Sequence, residues 1–133
     1  MCEPRVVVLD ASVGVKWIKP EAGREQALDL LRRHRDGDAV IVVAAHFLHE
    51  VVAVAMRKGG ADFGRRAWTA LTAAELTTIG LDQTLADATF EQCERLGCAF
   101  HDGLAPAIAS RLGATLVSSD ARAHARFPGV QLL

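Results

Sequence analysis

Three short, unbroken apolar runs constrain this chain more than any other feature: Val6–Leu9, Val40–Val43 and Thr115–Val117. A strand without an alternating polar face has no side to turn to water, so it belongs in a sheet covered on both faces. Helical segments separate the runs, and such strands joined by helical crossovers make a mainly parallel sheet. The expected architecture is α/β, one domain over residues 1–133 with about five strands and helices on both faces. With half the residues hydrophobic, 5% aromatic and no tyrosine, the core must be built from Val, Leu, Ile and Ala.

The periodicity predicts helices over Ala11–Ile18, Arg24–Arg35, His46–Lys58 (closed by Gly59-Gly60), Ala61–Ala74, Asp82–Leu96 (ended by Gly97) and about Asp102–Leu112 (ended by Gly113). Leu76–Ile79 reads as a short strand, Ala121–Arg126 as a helical turn and Val130–Leu132 as an edge strand. Pro106 lacks an N–H and clashes one turn back, so it argues for a helix that begins close to Asp102.

In open parallel sheets, ligands bind beyond the carboxyl ends of the strands. Asp10 ends the first strand and Asp120 follows the third clear one by three residues. Each has a plain structural reading as the N-cap of the helix that follows, as does Asp102. Glu50 has helical neighbours His46, Phe47, Ala53 and Val54, three of them apolar, which sets it on or beside the buried face. An unpaired carboxylate there is costly and calls for a partner, a proton or a metal. Four such acids are more than capping requires. An oxygen-only donor set suits Mg²⁺ or Mn²⁺, ions that favour phosphate substrates and activate water.

Other chemistries fit less well. No Ser or Cys nucleophile stands at a convincing spacing from a base, and Gly59-Gly60 lacks the phosphate-loop pattern. Asp10-Ala11-Ser12 is not the DxD of haloacid-dehalogenase enzymes, and a receiver-like domain would want a Lys that Thr115–Asp120 does not offer. A net charge of −1 argues against a broad, non-specific DNA coat. Cys2, Cys93 and Cys98 lack paired CxxC spacing and read as reduced thiols. No run is long enough to span a membrane and no signal peptide opens the chain, so a cytoplasmic protein is expected.

VVVLDASVGVKWIKPE (Val6–Glu21), HFLHEVVAVAMR (His46–Arg57), FHDGLAPAIASRLGATLVSSD (Phe100–Asp120) and the closing FPGVQLL resemble a PIN domain, nearest to the VapC-like toxin ribonucleases of bacterial toxin–antitoxin pairs. The resemblance runs through the whole chain in order. It implies a five-stranded, mostly parallel sheet, a Mg²⁺- or Mn²⁺-dependent endoribonuclease acting on RNA, a homodimer, and inhibition by a cognate antitoxin. Carried over residue by residue, the family's acids fall on Asp10, Glu50, Asp102 and Asp120, with Asp10 and Asp102 the most direct metal ligands. Ser118 matches the hydroxyl of the late Thr-x-Asp motif; Ser118 and Ser12 are expected to orient the acids. Two departures stand out. His46 replaces an apolar or proline residue ahead of the Glu helix, and His101-Asp102-Gly103-Leu104, followed by Pro106, replaces Tyr-Asp-Ala-Leu.

His34, His46, His49, His101 and His124 form no HExxH-type pattern and read mostly as surface or partly buried residues. His101, beside Asp102, is the one to expect near substrate. Arg122, His124 and Arg126 follow Asp120 and are expected to hold RNA phosphates. Trp17 and Trp68 read as packing or interface residues. The alternative function is a PIN-like module with weakened catalysis that binds RNA or antitoxin; Pro106, near the third acid, motivates it.

Overall fold

The computed structural model describes residues 3–133, so Cys2 lies outside the described residues. Along the chain run β1 (Arg5–Leu9), α1 (Ala11–Ile18), α2 (Arg24–Arg35), β2 (Ala39–Ala44), α3 (Ala45–Ala73), β3 (Thr77–Ile79), α4 (Gln83–Leu96), α5 (Phe100–Leu112), β4 (Thr115–Ser118), α6 (Ala121–His124) and β5 (Gln131–Leu132). The five strands form one sheet in the order β3-β2-β1-β4-β5, and every pairing is parallel. The fold expected from the apolar runs is the one observed.

Strand alternation divides the core between the two faces. Val8, Val42, Ala44 and Leu116 pack with Leu104, Ala105 and Ile108 of α5 and Leu85 and Leu96 of α4. Val7, Leu9, Ile41, Val43 and Val117 point the other way, to Val13 of α1, Ala27 of α2 and Phe47, Val51 and Leu71 of α3. Register keeps the two sets apart: Val7 pairs with Ile41, Val8 with Val42 and Leu116, and Leu9 with Val117. Trp17 belongs to the packing, edge-on to Phe47 with its indole N–H donating to the Ala27 carbonyl at 2.8 Å.

Two boundaries depart from expectation. The helices expected over His46–Lys58 and Ala61–Ala74 are a single element broken at Gly59 and Gly60, and Gly60 sits at φ 73°, where a side chain would be strained. Helix α5 begins at Phe100, capped by Ala99, so Asp102 lies in its first turn and is no cap, while Pro106 sits well inside the helix. The helix does begin close to Asp102, two residues ahead of it.

The chain winds outward from β1 in both directions, through β2 to β3 and, after crossing back, through β4 to β5. The reversal falls between β1 and β4, and their carboxyl ends carry Asp10 and Asp120. In doubly wound sheets such a switch point opens a crevice suited to a ligand.

Candidate active site

Asp10 leaves β1 with its own N–H donating to the Val117 carbonyl of β4 at 3.0 Å. Its Oδ2 accepts the Ser12 N–H at 3.0 Å, capping α1. Asp120 likewise caps α6, with Oδ1 accepting the Ala123 N–H at 3.2 Å. The capping reading is thus real for both, and it orients each carboxylate through one oxygen. Among the described residues, no donor engages the other oxygen of either.

The hydroxyls of Ser12 and Ser118 tie the two loops together and leave the carboxylates alone. Ser12 Oγ accepts the Ser119 N–H at 3.0 Å and stands 3.5 Å from Ser118 Oγ. Ser118 Oγ accepts the Asp120 N–H at 3.0 Å and lies 2.7 Å from His124 Nδ1. On its far side, His124 Nε2 is 2.6 Å from the Asp102 carbonyl. A carbonyl can only accept, so Nε2 carries the proton. In the neutral ring Nδ1 then accepts from the Ser118 hydroxyl, which leaves Ser12 as the donor to Ser118. One polar chain, Ser12–Ser118–His124–Asp102, therefore joins the ends of β1 and β4 to α5.

Pro106 explains why that chain reaches Asp102. In a helix the Asp102 carbonyl would take the N–H of residue 106, and proline has none. His124 supplies the missing donor. The ring is fully buried, which corrects the expectation that His124 meets RNA phosphates. Arg126 is turned elsewhere, its guanidinium donating to the Leu96 carbonyl, whereas Arg122 stays exposed on α6.

Glu50 is partly buried on α3 and connects to Asp102 through two imidazoles. Its Oε1 lies 3.6 Å from His46 Nε2. The His46 ring is 5.7 Å from that of His101, and His101 Nε2 is 3.3 Å from Asp102 Oδ1. No three of the four acids bring donor atoms within 4.8 Å of one another; among the described residues the trio that does is His46, His49 and Glu50. Like-charged carboxylates on separate elements repel, and histidines stand between Glu50 and Asp102. Sequence reading gave His46 and His49 no role, yet their i, i+3, i+4 spacing with Glu50 was visible.

Gly103, the small residue next to Asp102, lets α4 and α5 touch: a Cβ there would meet Cys93 Sγ at 2.7 Å and the Thr89 carbonyl oxygen at 3.2 Å. Cys93 and Cys98 are free thiols. Burial, then the neighbouring Cys93, then the Asp102 carboxylate push the Cys98 thiol up to about 11.

A family model described as PIN domain matches residues 7–129. No curated protein sequence matches the chain. Among solved structures, the chain resembles the Mycobacterium tuberculosis toxin VapC20, described as cleaving the sarcin-ricin loop. Their TM-score is 0.71 and identity 17%, over 93% of this chain and 98% of that one. A toxin–antitoxin complex from Klebsiella pneumoniae gives a TM-score of 0.74 at 17% identity, covering 94% and 95% of the two chains. VapBC2 from Rickettsia felis, bound to a DNA fragment from its promoter, gives 0.67 at 18%, covering 96% and 97%. At these identities the likeness speaks for the fold.

Proposed function

The chain belongs to the PIN domain family, and on that premise we propose that it is a Mg²⁺- or Mn²⁺-dependent endoribonuclease, the toxin of a toxin–antitoxin pair. The observation that carries this reading is the placement of Asp10 and Asp120 just beyond the carboxyl ends of the adjacent strands β1 and β4, with the Asp102 backbone tied to the end of β4 through His124. The donor set fits a hard divalent cation. Asp10 and Asp120 are each oriented through one oxygen by a backbone N–H, which leaves the other for a ligand. Asp10 and Asp102 would hold the ion directly, and Glu50 and Asp120 would complete the pocket. When bound, the ion would make a water easier to deprotonate, and so a better nucleophile, and would neutralise charge on the phosphate.

The protein's own part is positioning. The serine–histidine chain fixes the loops of Asp10 and Asp120 against α5. His101, mostly exposed beside Asp102, and Arg122, exposed after Asp120, are placed to meet the RNA backbone. The weakened-catalysis alternative rested on Pro106, and the carbonyl that Pro106 orphans is satisfied; no observation favours that reading.

A cognate antitoxin and a homodimer belong to the same proposal, as does a cytoplasmic setting; no helix among the described residues is long and apolar enough to cross a membrane. Met56 and Trp68, each about half exposed along α3, offer the apolar surface such partners need. The test is cleavage of structured RNAs by purified protein with Mg²⁺, Mn²⁺ or chelator. Divalent-dependent cleavage lost in Asp10→Asn is expected; cleavage in chelator would overturn the reading.

A further inference from the structure

The first turns of α3 hold a donor set of another kind. His46, His49 and Glu50 stand at i, i+3 and i+4 on one helix face, with one donor atom of each within 4.8 Å of the others. Glu50 Oε1 lies 3.6 Å from His46 Nε2 and 4.0 Å from His49 Nδ1. Both separations are too long for a hydrogen bond. They are close to what one ion needs, because two tetrahedral ligands with bonds of ~2.0–2.1 Å stand roughly 3.4 Å apart. His46 Nε2 is buried and has no hydrogen-bond partner, although buried polar atoms are rarely left unpaired. His49 is 76% exposed, so its ring is free to close the remaining gap.

We propose that His46, His49 and Glu50 form a binding site for a borderline transition-metal ion, Zn²⁺ above all. Imidazole nitrogens favour such ions, whereas Mg²⁺ selects oxygen and retains water. Three protein ligands leave a fourth position for water or a phosphate oxygen, the pattern of an open rather than a structural zinc site. The proposal goes beyond the ribonuclease reading and shares only Glu50 with it. An ion held here would engage the Glu50 carboxylate.

The experiment titrates Co²⁺ alone into the full chain, followed by visible absorption, and Zn²⁺ by calorimetry in excess Mg²⁺. One equivalent should bind, with the absorption of four-coordinate Co²⁺, and His49→Ala and His46→Ala should each weaken it at least about tenfold. Asp10→Asn should bind as wild type does, whatever its effect on RNA cleavage, which separates this site from the acidic one. The exposed position of His49 makes its replacement harmless to the fold, checked by an unchanged metal-free melting temperature. Equal affinity in His49→Ala, loss of binding in Asp10→Asn, or no binding by wild type would each overturn the proposal.

Discussion

The Asp102 carbonyl receives its hydrogen bond from His124 Nε2, at 2.6 Å, from a residue 22 positions further along the chain. Pro106 cannot provide it, and the substitute donor carries the coupling between α5 and the end of β4.

His124→Leu should therefore leave the Asp102 carbonyl without its donor and the Ser118 hydroxyl without the acceptor for its proton, at a cost of about 2–4 kcal/mol. Pro106→Ala restores the helical N–H, and in that background the His124→Leu cost should shrink by about 1 kcal/mol. Urea denaturation of the four proteins in the cycle measures the coupling. Strictly additive losses would mean that the two residues do not share the carbonyl.

Asp10→Asn should abolish RNA cleavage with the fold intact, because asparagine retains the cap on α1 and one charge leaves an acidic pocket. Asp10→Ala should also abolish it but lose about 1 kcal/mol with the cap. Wild-type cleavage by Asp10→Asn in Mg²⁺ would remove Asp10 from the site.

Glu50→Gln should slow cleavage at least about tenfold, or roughly 1.4 kcal/mol of transition-state stabilisation, while RNA affinity holds or rises. Single-turnover rates and a separate binding isotherm distinguish this from a rim residue, which would leave both unchanged.

Gly103→Ala reverses the usual sign of a helical Gly→Ala change, which ordinarily stabilises by about 1 kcal/mol. The new Cβ would press on Cys93 Sγ and on the Thr89 carbonyl, so a net loss of about 1–3 kcal/mol is expected. Removing the sulfur with Cys93→Ala should return part of it; a Gly103→Ala protein as stable as wild type would show that α4 yields freely.

Cys98 should alkylate slowly. With its pKa moved from 9.0 to about 11, its thiolate fraction at pH 8 falls by about a hundredfold. The native state then holds a proton that the unfolded chain releases above pH 9, so this group's stabilising contribution is lost as pH rises from 9 toward 11. Iodoacetamide labelling resolved by peptide mapping is the check; labelling of Cys98 at the rate of an unfolded control would refute the shift.

The apolar runs were sufficient for the sheet because a strand buried on both faces leaves a continuous signature, and β1, β2 and β4 fell within two residues of expectation. Capping acids and terminal glycines marked α1 and α4 equally well, since those signals are local. Helix α5 also began within two residues of expectation, but how it accommodates Pro106 was not legible, because the compensating donor lies on another element. The same blindness applied to His124, expected at RNA phosphates because it follows Asp120, and to Ser118, whose hydroxyl serves the backbone of Asp120 and the ring of His124. Position along the chain suggested the acids; only packing reveals which groups hold their loops.

Strand order also has a consequence in time. β1 leaves the ribosome well before its partner β4, with Val8 aligned to Leu116 across 108 positions. Domains grow from the N-terminus during synthesis, and β1, β2 and α1 can gather early. The crevice between β1 and β4 cannot exist until residues past 118 have emerged. Whatever chemistry Asp10 and Asp120 perform together, a chain that stops short of Asp120 lacks it, however well β1, β2 and α1 have already gathered.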